Sequence, residues 1–488
     1  MTKAKKVGLI ITASILAVAI IAISIIFAIN STYVYSPVHA EDIIKEGEMS
    51  TIILDYNGAD GHECTETIQA KAFTYIDLPK VEKEGFKFLC WFCNYVISFD
   101  SKLYVNAKTI KAFAEFEKDY TVIQKPAALY TDTLTYTEYD VGEYPCVDLD
   151  IKDIYLEGGY YAEVYKKKDF KGDMTTVAYQ GTYSGKVGSM KIIKSDIEKV
   201  EIESLNDDTK AMLLKKYAPR LWWDEDEKYY ASSVEFALNN LKRGLSPDGY
   251  MLYLEELDKQ SYKCDYFYGD KDNMKGYGFA AEKEYTYLDL SYYFFFPFNK
   301  AKTILGMDFG NHVGDWEHVV VRLKLFSEND KLYYAPVLVQ YSIHSQRIYM
   351  PWSKAPKYED THLVGYIANG SHGIWPYAGK NVYVDAVVIK LTDICSQGEV
   401  WDLWEGSNLE TYKYDAINQV GQAIGDSEWK SCFDHDYYNP DSDSVIRWGN
   451  FGFNYPITIY PMLQNAPEGP TNKKSVFDYY SIDGRFYY

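Results

Sequence analysis

Two carboxylates and one imidazole stand close together between residues 310 and 321. Asp315 and Glu317 are two positions apart, so on a β-strand both side chains point to the same face. His312 stands in the turn just before, from which its imidazole can reach that face. These are suitable ligands for a divalent cation, and the pattern therefore predicts a metal site. The alternative is a solvated strand face beside an ordinary loop histidine.

A tight turn and a buried strand would position these groups. Gly310 and Gly314 give the backbone the freedom that a tight turn needs. Residues 319–321 are all valine, which is typical of a buried strand. Trp316 points away from the carboxylates and is predicted to pack in a core. His318 shares the side of Trp316 and is predicted to be packed or to support the metal ligands.

Five of the eight histidines fall between residues 312 and 372. His344 ends one apolar run, at 337–341, and His372 follows another, at 364–368. We expect these strand-end histidines to meet at one end of a β-sandwich, where His318, His344 and His372 contact a ligand or support the metal ligands. The alternative is that each is a satisfied polar residue at the edge of the core. A hard, oxygen-rich site favours Mg²⁺ or Ca²⁺ over Zn²⁺.

The run at 310–321 resembles the signature of the vacuolar protein sorting-associated protein 62 family. Three further stretches match that family in order, at 217–235, 340–344 and 364–372. The central run is also similar to the H-x-x-D-W-E heptad of necrosis- and ethylene-inducing-like cytolysins, which implies metal-ligand roles for His312, Asp315 and Glu317. The chain carries Val313 and Gly314 where those cytolysins carry Arg and His. The resemblance therefore extends to the metal ligands and not to cytolytic activity.

The composition indicates a mostly β protein with an acidic surface. Aromatic residues make up 17% of the chain and include 48 tyrosines, which favours strands over helices. A length of 488 residues predicts about three folded units. The formal charge of −20 argues against a nucleic-acid partner. Seven thinly spread cysteines do not predict a disulfide scaffold.

The N-terminal region carries a membrane signal. Three lysines precede an uncharged apolar run at 7–29, which is long enough to span a bilayer as a helix. The lysines place the N-terminus in the cytoplasm and the bulk of the chain outside. We predict a single-pass cell-membrane protein with a stub and transmembrane signal anchor at 1–29 and a linker at 30–48. The alternative is a signal peptide cleaved after Ala40.

Two small β modules and a linker are predicted next. Residues 49–118 resemble the internalin-B-type (Listeria–Bacteroides) repeat at 54–58, 78–79, 84–92 and 112–116. That resemblance implies a β-grasp-like spacer without chemistry. Residues 119–195 resemble a βγ-crystallin motif at 162–172 and 184–192, with Ser184 and Gly185 where calcium-binding members carry Asn or Asp. The module is therefore interpreted as structural, and residues 196–215 as a linker.

Residues 216–488 are predicted to form a vacuolar protein sorting-associated protein 62-like β-sandwich with one or two surface helices. One helix is indicated by a capping-box pattern at 232–235 and a stop at Gly244. A second helix is predicted near 410–424. The aromatic run at 291–298 is typical of a central strand buried on both faces, and the alternative is a segment that dips into a membrane.

These features predict a membrane-anchored cell-surface protein. Its C-terminal sandwich would bind a divalent cation and, through the cation and nearby aromatic rings, a glycan or lipid headgroup. One alternative is a metal-dependent hydrolase of cell-wall or phosphoester substrates. Another is an inert adhesive or structural surface protein. No catalytic residue is assigned, because neither a Gly-x-Ser-x-Gly nor a His-Glu-x-x-His motif is present.

Overall fold

The computed structural model describes residues 44–424, with short gaps at 94–95, 99–100, 106, 241, 247–248, 254–263, 284–285, 301, 305–306, 310, 345, 387–388 and 416–419. The predicted anchor at 1–29, nearly all of the predicted linker at 30–48 and the end of the predicted sandwich lie outside these residues. Within the described part of the chain, no helix is long and apolar enough to cross a membrane.

The first module is a mixed β-sheet with its own core. Its strands are β1 Met49–Asp55, β2 Thr65–Lys71, β3 Tyr75–Asp77, β4 Phe86–Cys93, β5 Val96–Ser98, β6 Lys102–Tyr104 and β7 Thr109–Lys118. The sheet order is β2-β1-β7-β4-β5, with β1 and β7 parallel. Trp91 fills the core, and its indole N–H donates to the carbonyl of Pro79 at 2.7 Å. That bond ties the turn at 78–79 to the sheet.

The second module is built from short antiparallel strands. They are β8 Ala127–Tyr130, β9 Tyr136–Tyr139, β10 Gly142–Tyr144, β11 Leu149–Ile151, β12 Asp153–Leu156, β13 Tyr160–Lys167, β14 Lys171–Val177, β15 Gly185–Val187 and β16 Ser189–Lys194. Two ion pairs join this module to the C-terminal region. Lys324 Nζ lies 2.6 Å from Glu157 Oε1, and Lys354 Nζ lies 2.6 Å from Glu163 Oε1. The module is therefore packed against the sandwich.

The C-terminal region contains the remaining strands, most of which form two main sheets, while six form three separate two-stranded pairs. The remaining strands are β17 Val200–Ile202, β18 Arg220–Trp222, β19 Lys242–Ser246, β20 Gly249–Tyr253, β21 Gly276–Lys283, β22 Tyr287–Asn299, β23 Lys302–Ile304, β24 Met307–Phe309, β25 His312–Glu328, β26 Lys331–Ile343, β27 Gln346–Pro351, β28 Lys357–Tyr358, β29 His362–Ile367, β30 Ile374–Trp375, β31 Gly379–Ala386, β32 Ile389–Cys395, β33 Val400–Asp402, β34 Leu409–Asp415 and β35 Val420–Ala423.

The two main sheets pack as a sandwich around an aromatic core. The larger has the order β17-β26-β25-β22-β21-β34-β35, and the smaller has the order β28-β29-β18-β33. Side chains from both sheets belong to one buried cluster. The prediction of a mostly β chain with a sandwich-like C-terminal region is confirmed.

The aromatic strand β22 is central and buried on both faces, as predicted. It pairs with β25 on one side and with β21 on the other. Phe294 and Phe296 enter the core between the sheets, and Tyr293 and Phe295 enter a second core on the opposite face. The buried strand β22 therefore lies directly beside the residues that begin β25, in the same sheet.

The described α-helices are short and capped. The helix predicted at 232–244 is present, but it is shorter and spans Val234–Asn240. The hydroxyl of Ser233 caps it by accepting from the backbone N–H of Phe236. A helix at Asp207–Lys216 lies in the predicted linker and packs its leucines into the sandwich core. The described residues also include 3₁₀ turns at Asp265–Tyr268, Lys271–Asn273 and Trp352–Lys354.

The second predicted helix, near 410–424, is wrong. This segment forms β34 and β35, and β34 pairs in parallel with β21 at the edge of the larger sheet. Tyr412 and Tyr414 are both buried, which follows the two-residue period of a strand. A short segment of mixed apolar and polar residues fits both the helical period of about 3.6 residues and the strand period of two. Pairing with the distant strand β21 therefore decided the structure here.

Candidate functional site

The candidate site lies where β25 begins, beside the end of β22. Asp315 is opposite Phe296 and Glu317 is opposite Phe294 across the two strands. Because both phenylalanines face the inter-sheet core, both carboxylates enter the interior rather than the solvent. Asp315 is 3% exposed and Glu317 is 7% exposed. The alternative of a solvated strand face is therefore wrong.

Asp315 is the centre of an imidazole–carboxylate cluster. His312 Nε2 lies 3.2 Å from one carboxylate oxygen of Asp315, and His372 Nδ1 lies 3.4 Å from the other. The backbone N–H of Trp316 also donates to Asp315, at 3.0 Å. Burial alone would raise the pKa of Asp315, but His312 and His372 hold that pKa well below its usual range. The carboxyl group is therefore ionised.

His372 reaches this cluster from a distant loop. It follows β29 and sits fully buried, with its ring stacked on Phe296 at a centroid distance of 4.0 Å and an interplanar angle of 7°. Its backbone is left-handed, with φ of +59°. Within the described residues, His372 Nε2 has no hydrogen-bond partner. A buried nitrogen in that state is available to a ligand, since such atoms are normally satisfied.

The other two predicted histidines lie apart from this cluster. His318 is on the opposite face of β25, fully buried and stacked on Tyr293 at 4.8 Å. His344 follows β26 and places Nε2 at 2.9 Å from Asp393. The structure thus brings His312, Asp315 and His372 together, with Glu317 on the same strand face, and leaves His318 and His344 outside.

Asp393 and Phe296 are site residues that sequence reasoning missed. Asp393, fully buried in β32, also accepts hydrogen bonds from the Ser371 hydroxyl at 2.7 Å and the Trp375 indole at 2.9 Å. Its sequence gave little signal, because Asp393 stands in a strand that also contains Lys390 and Thr392. No sequence signal distinguished Phe296 from its neighbours, because residues 292–298 are all apolar or aromatic.

The donor types fit a hard divalent cation. Their present contacts with one another, however, occupy the positions that a cation would need. Two buried carboxylates and an imidazole nitrogen are appropriate ligands. In the described part of the chain, however, no three His, Cys, Asp or Glu side chains converge as a metal-binding group. The reason is visible at Asp315, where each oxygen faces an imidazole nitrogen. A cation would have to replace at least one of these contacts.

An aromatic pair packs near the ends of the same two strands. Tyr229 and Tyr268 stack almost in parallel, with 5.7 Å between ring centroids. Tyr229 also contacts Phe298 at 5.3 Å, and Phe298 is opposite Val313, next to His312. Phe298 and Val313 belong to the second core, whereas Asp315 shares the face of Phe296 in the core between the sheets. Tyr268 is 48% exposed, so this end of the sandwich carries an accessible aromatic surface.

The C-terminal region is similar to known proteins of one family. Residues 178–397 match the family described as Vacuolar protein sorting-associated protein 62. Saccharomyces cerevisiae Vacuolar protein sorting-associated protein 62 is 26% identical over 208 residues, which are 38% of this chain and 42% of the yeast protein. The chain thus spans well under half of that relative's length. The predicted family resemblance is confirmed for this region, and the resemblances of 49–118 and 119–195 stay predictions.

Two solved structures are similar at low scores. One, described as "Toxin fold for microbial attack and plant defense", has 16% identity and a TM-score of 0.24, covering 43% of this chain and 76% of that chain. Another, described as "NLPPya in complex with mannosamine", has 16% identity and a TM-score of 0.23, covering 44% and 79%.

Proposed function

We propose that the C-terminal sandwich binds a divalent cation, Mg²⁺ or Ca²⁺, through His312, Asp315 and Glu317, and that the cation helps to hold a glycan or lipid headgroup. The observation that carries this proposal is the buried Asp315 with an imidazole nitrogen near each of its oxygens. A buried carboxylate is costly unless it is compensated by opposite charge or hydrogen bonds. A divalent cation would take both carboxylates as ligands, in place of at least one imidazole contact of Asp315.

The tyrosine pair supports the second half of the proposal. A hard cation at the strand end can take hydroxyl, carboxylate or phosphate oxygens of a ligand into its coordination shell. An exposed tyrosine ring offers its apolar face to a sugar ring and its hydroxyl to a polar group. Tyr268 is accessible and is linked to the strand end through Tyr229 and Phe298. The cation would therefore bind a charged or polar group of the ligand, and the tyrosine ring would contact a ring of the same ligand.

Tyr268→Ala should weaken retention of that ligand. We expect a loss on the order of tenfold or less in affinity, because an aromatic contact contributes about 0.5–1.5 kcal/mol. The measurement is binding of the full-length protein, with Mg²⁺ present, to an array of glycans and to liposomes with defined headgroups. Tyr75, 72% exposed in the first module, provides the matched control as Tyr75→Ala. Equal losses in both variants would contradict a role for the tyrosine pair.

The same preparation separates binding from catalysis. Retention without turnover of generic phosphoester or glycan substrates is the expected result. Metal-dependent turnover that disappears in Glu317→Gln would favour the hydrolase instead, with Glu317 or a metal-bound water as the base.

A membrane tether at residues 1–29 completes the proposed function. Its support is the uncharged apolar run that follows three lysines. Protease added to intact cells should digest the chain beyond about residue 30, because the positive-inside rule places that part outside. Permeabilised cells provide the control for protease access. Protection of the whole chain in intact cells would contradict the tether.

A further inference from the structure

Four consecutive residues of one loop are each held by a different buried carboxylate. The loop is 369–372, between β29 and β30. The four contacts are Asn369 Nδ2 to Asp224 Oδ1 at 3.0 Å, the Gly370 N–H to Glu227 Oε2 at 2.7 Å, Ser371 Oγ to Asp393 Oδ1 at 2.7 Å and His372 Nδ1 to Asp315 Oδ2 at 3.4 Å. The last of these contacts belongs to the candidate cation site.

The loop backbone is in a conformation that needs outside support. Gly370 has φ of +69° and His372 has φ of +59°. The left-handed region is open to glycine but strained for histidine. Such strain persists only where surrounding contacts overdetermine the conformation. The hydrogen bonds from the carboxylates are contacts of that kind.

Asp224 and Glu227 each bridge the loop to a separate part of the chain. Asp224 is 5% exposed, and its second oxygen accepts from the Ser396 hydroxyl at 2.8 Å. Glu227 is 6% exposed, and its second oxygen accepts from the backbone N–H groups of Lys228 and Tyr229, at 2.7 and 2.8 Å. Asp224 is thus fixed by Ser396 and Glu227 by its own turn, and the other oxygen of each carboxylate holds the loop. The residues between them, Glu225 and Asp226, are exposed.

We infer that Asp224 and Glu227 are positioning residues that hold the loop 369–372 so that His372 faces Asp315. Their effect on cation binding rests on the function proposed above, whereas their effect on His372 does not. Partners behind a metal ligand typically change metal affinity by about 10–100-fold when they are replaced. His372 is such a partner of Asp315. Asp224 and Glu227 act one step further away, because they fix the loop of His372 by accepting from the Asn369 side-chain amide and from the Gly370 backbone N–H.

The test compares buried and exposed members of one acidic run. Glu227→Gln and Asp224→Asn change the loop contacts, and Glu225→Gln and Asp226→Asn make the same charge changes next to them. In full-length protein with ¹³C-labelled histidine, the ring signals of His372 report its stack on Phe296. His372→Gln assigns those signals, and His62, stacked on Tyr56 in the first module, is the internal reference.

The expected result is a shift of the His372 signals toward those of an exposed imidazole in the two buried variants only, with His62 unchanged. Calorimetry with Mg²⁺ should then show at least about tenfold weaker binding in those variants than in the controls. If Asp224→Asn fails to fold, Asn369→Ala replaces it, because that variant removes the same contact from the side of the loop.

One outcome overturns the inference, namely a His372 signal that is unchanged in the buried variants and in Asn369→Ala. A shifted signal with wild-type Mg²⁺ affinity would support the positioning of His372 and contradict its effect on cation binding. If the signals shift as expected and the wild-type protein binds no Mg²⁺, the positioning of His372 is supported and the proposed cation function fails.

Discussion

Asp315→Ala is expected to abolish the stabilisation of this protein by Mg²⁺ or Ca²⁺. For a ligand that binds only the native state, a concentration of one hundred times Kd adds about 2.7 kcal/mol to the free energy of unfolding. Asp315 is the carboxylate that both imidazoles face, so its loss removes the central charged ligand. The measurement is the melting temperature of each protein with added cation, relative to its own metal-free value.

The fold should survive this replacement, although the metal-free protein should be less stable. Trp316 and the valines that follow it pack in the two cores and do not depend on the carboxylate. Glu328→Ala is the matched control, because Glu328 ends the same strand and is exposed. If Asp315→Ala and Glu328→Ala gain the same stabilisation from cation as the wild type, the site lies elsewhere.

Asp289→Ala is expected to give the largest loss of stability in the sandwich, about 3–5 kcal/mol. Asp289 is fully buried in β22 and accepts two hydrogen bonds from Arg322 in β25, at 2.7 and 2.9 Å. Burial alone would lower the pKa of the Arg322 guanidinium, but Asp289 beside it raises that pKa above its ordinary value. Lys283 Nζ lies 3.8 Å from the same carboxylate. Removing Asp289 therefore leaves two buried cations without this anion.

Urea unfolding followed by tryptophan fluorescence measures the effect. The exposed pair Lys331–Glu201, with side chains 55% and 53% exposed, provides the comparison as Glu201→Ala. Exposed pairs contribute about 0–1 kcal/mol, since water screens both charges. A loss in Asp289→Ala as small as that in Glu201→Ala would contradict the interpretation of Asp289 as the essential buried counter-ion.

The local chemistry of the candidate site could be predicted from the sequence. Asp315 and Glu317 share a face because side chains alternate along a strand, and Trp316 and His318 take the other face for the same reason. The burial of β22 on both faces followed from an unbroken aromatic run. The helix near Ser233 followed from its cap. Each of these features depends on residues only a few positions apart.

The tertiary structure alone decided which distant residues meet the strand. His372 and His344 gave similar signals, yet His372 lies against Asp315 and His344 lies against Asp393. His372 stands in a loop that is held by Asp224 and Glu227, which are more than 140 positions away in the chain. The edge strand β34 likewise depends on pairing with β21. Such choices are set by burial and pairing between segments far apart in the chain, which local periodicity does not encode.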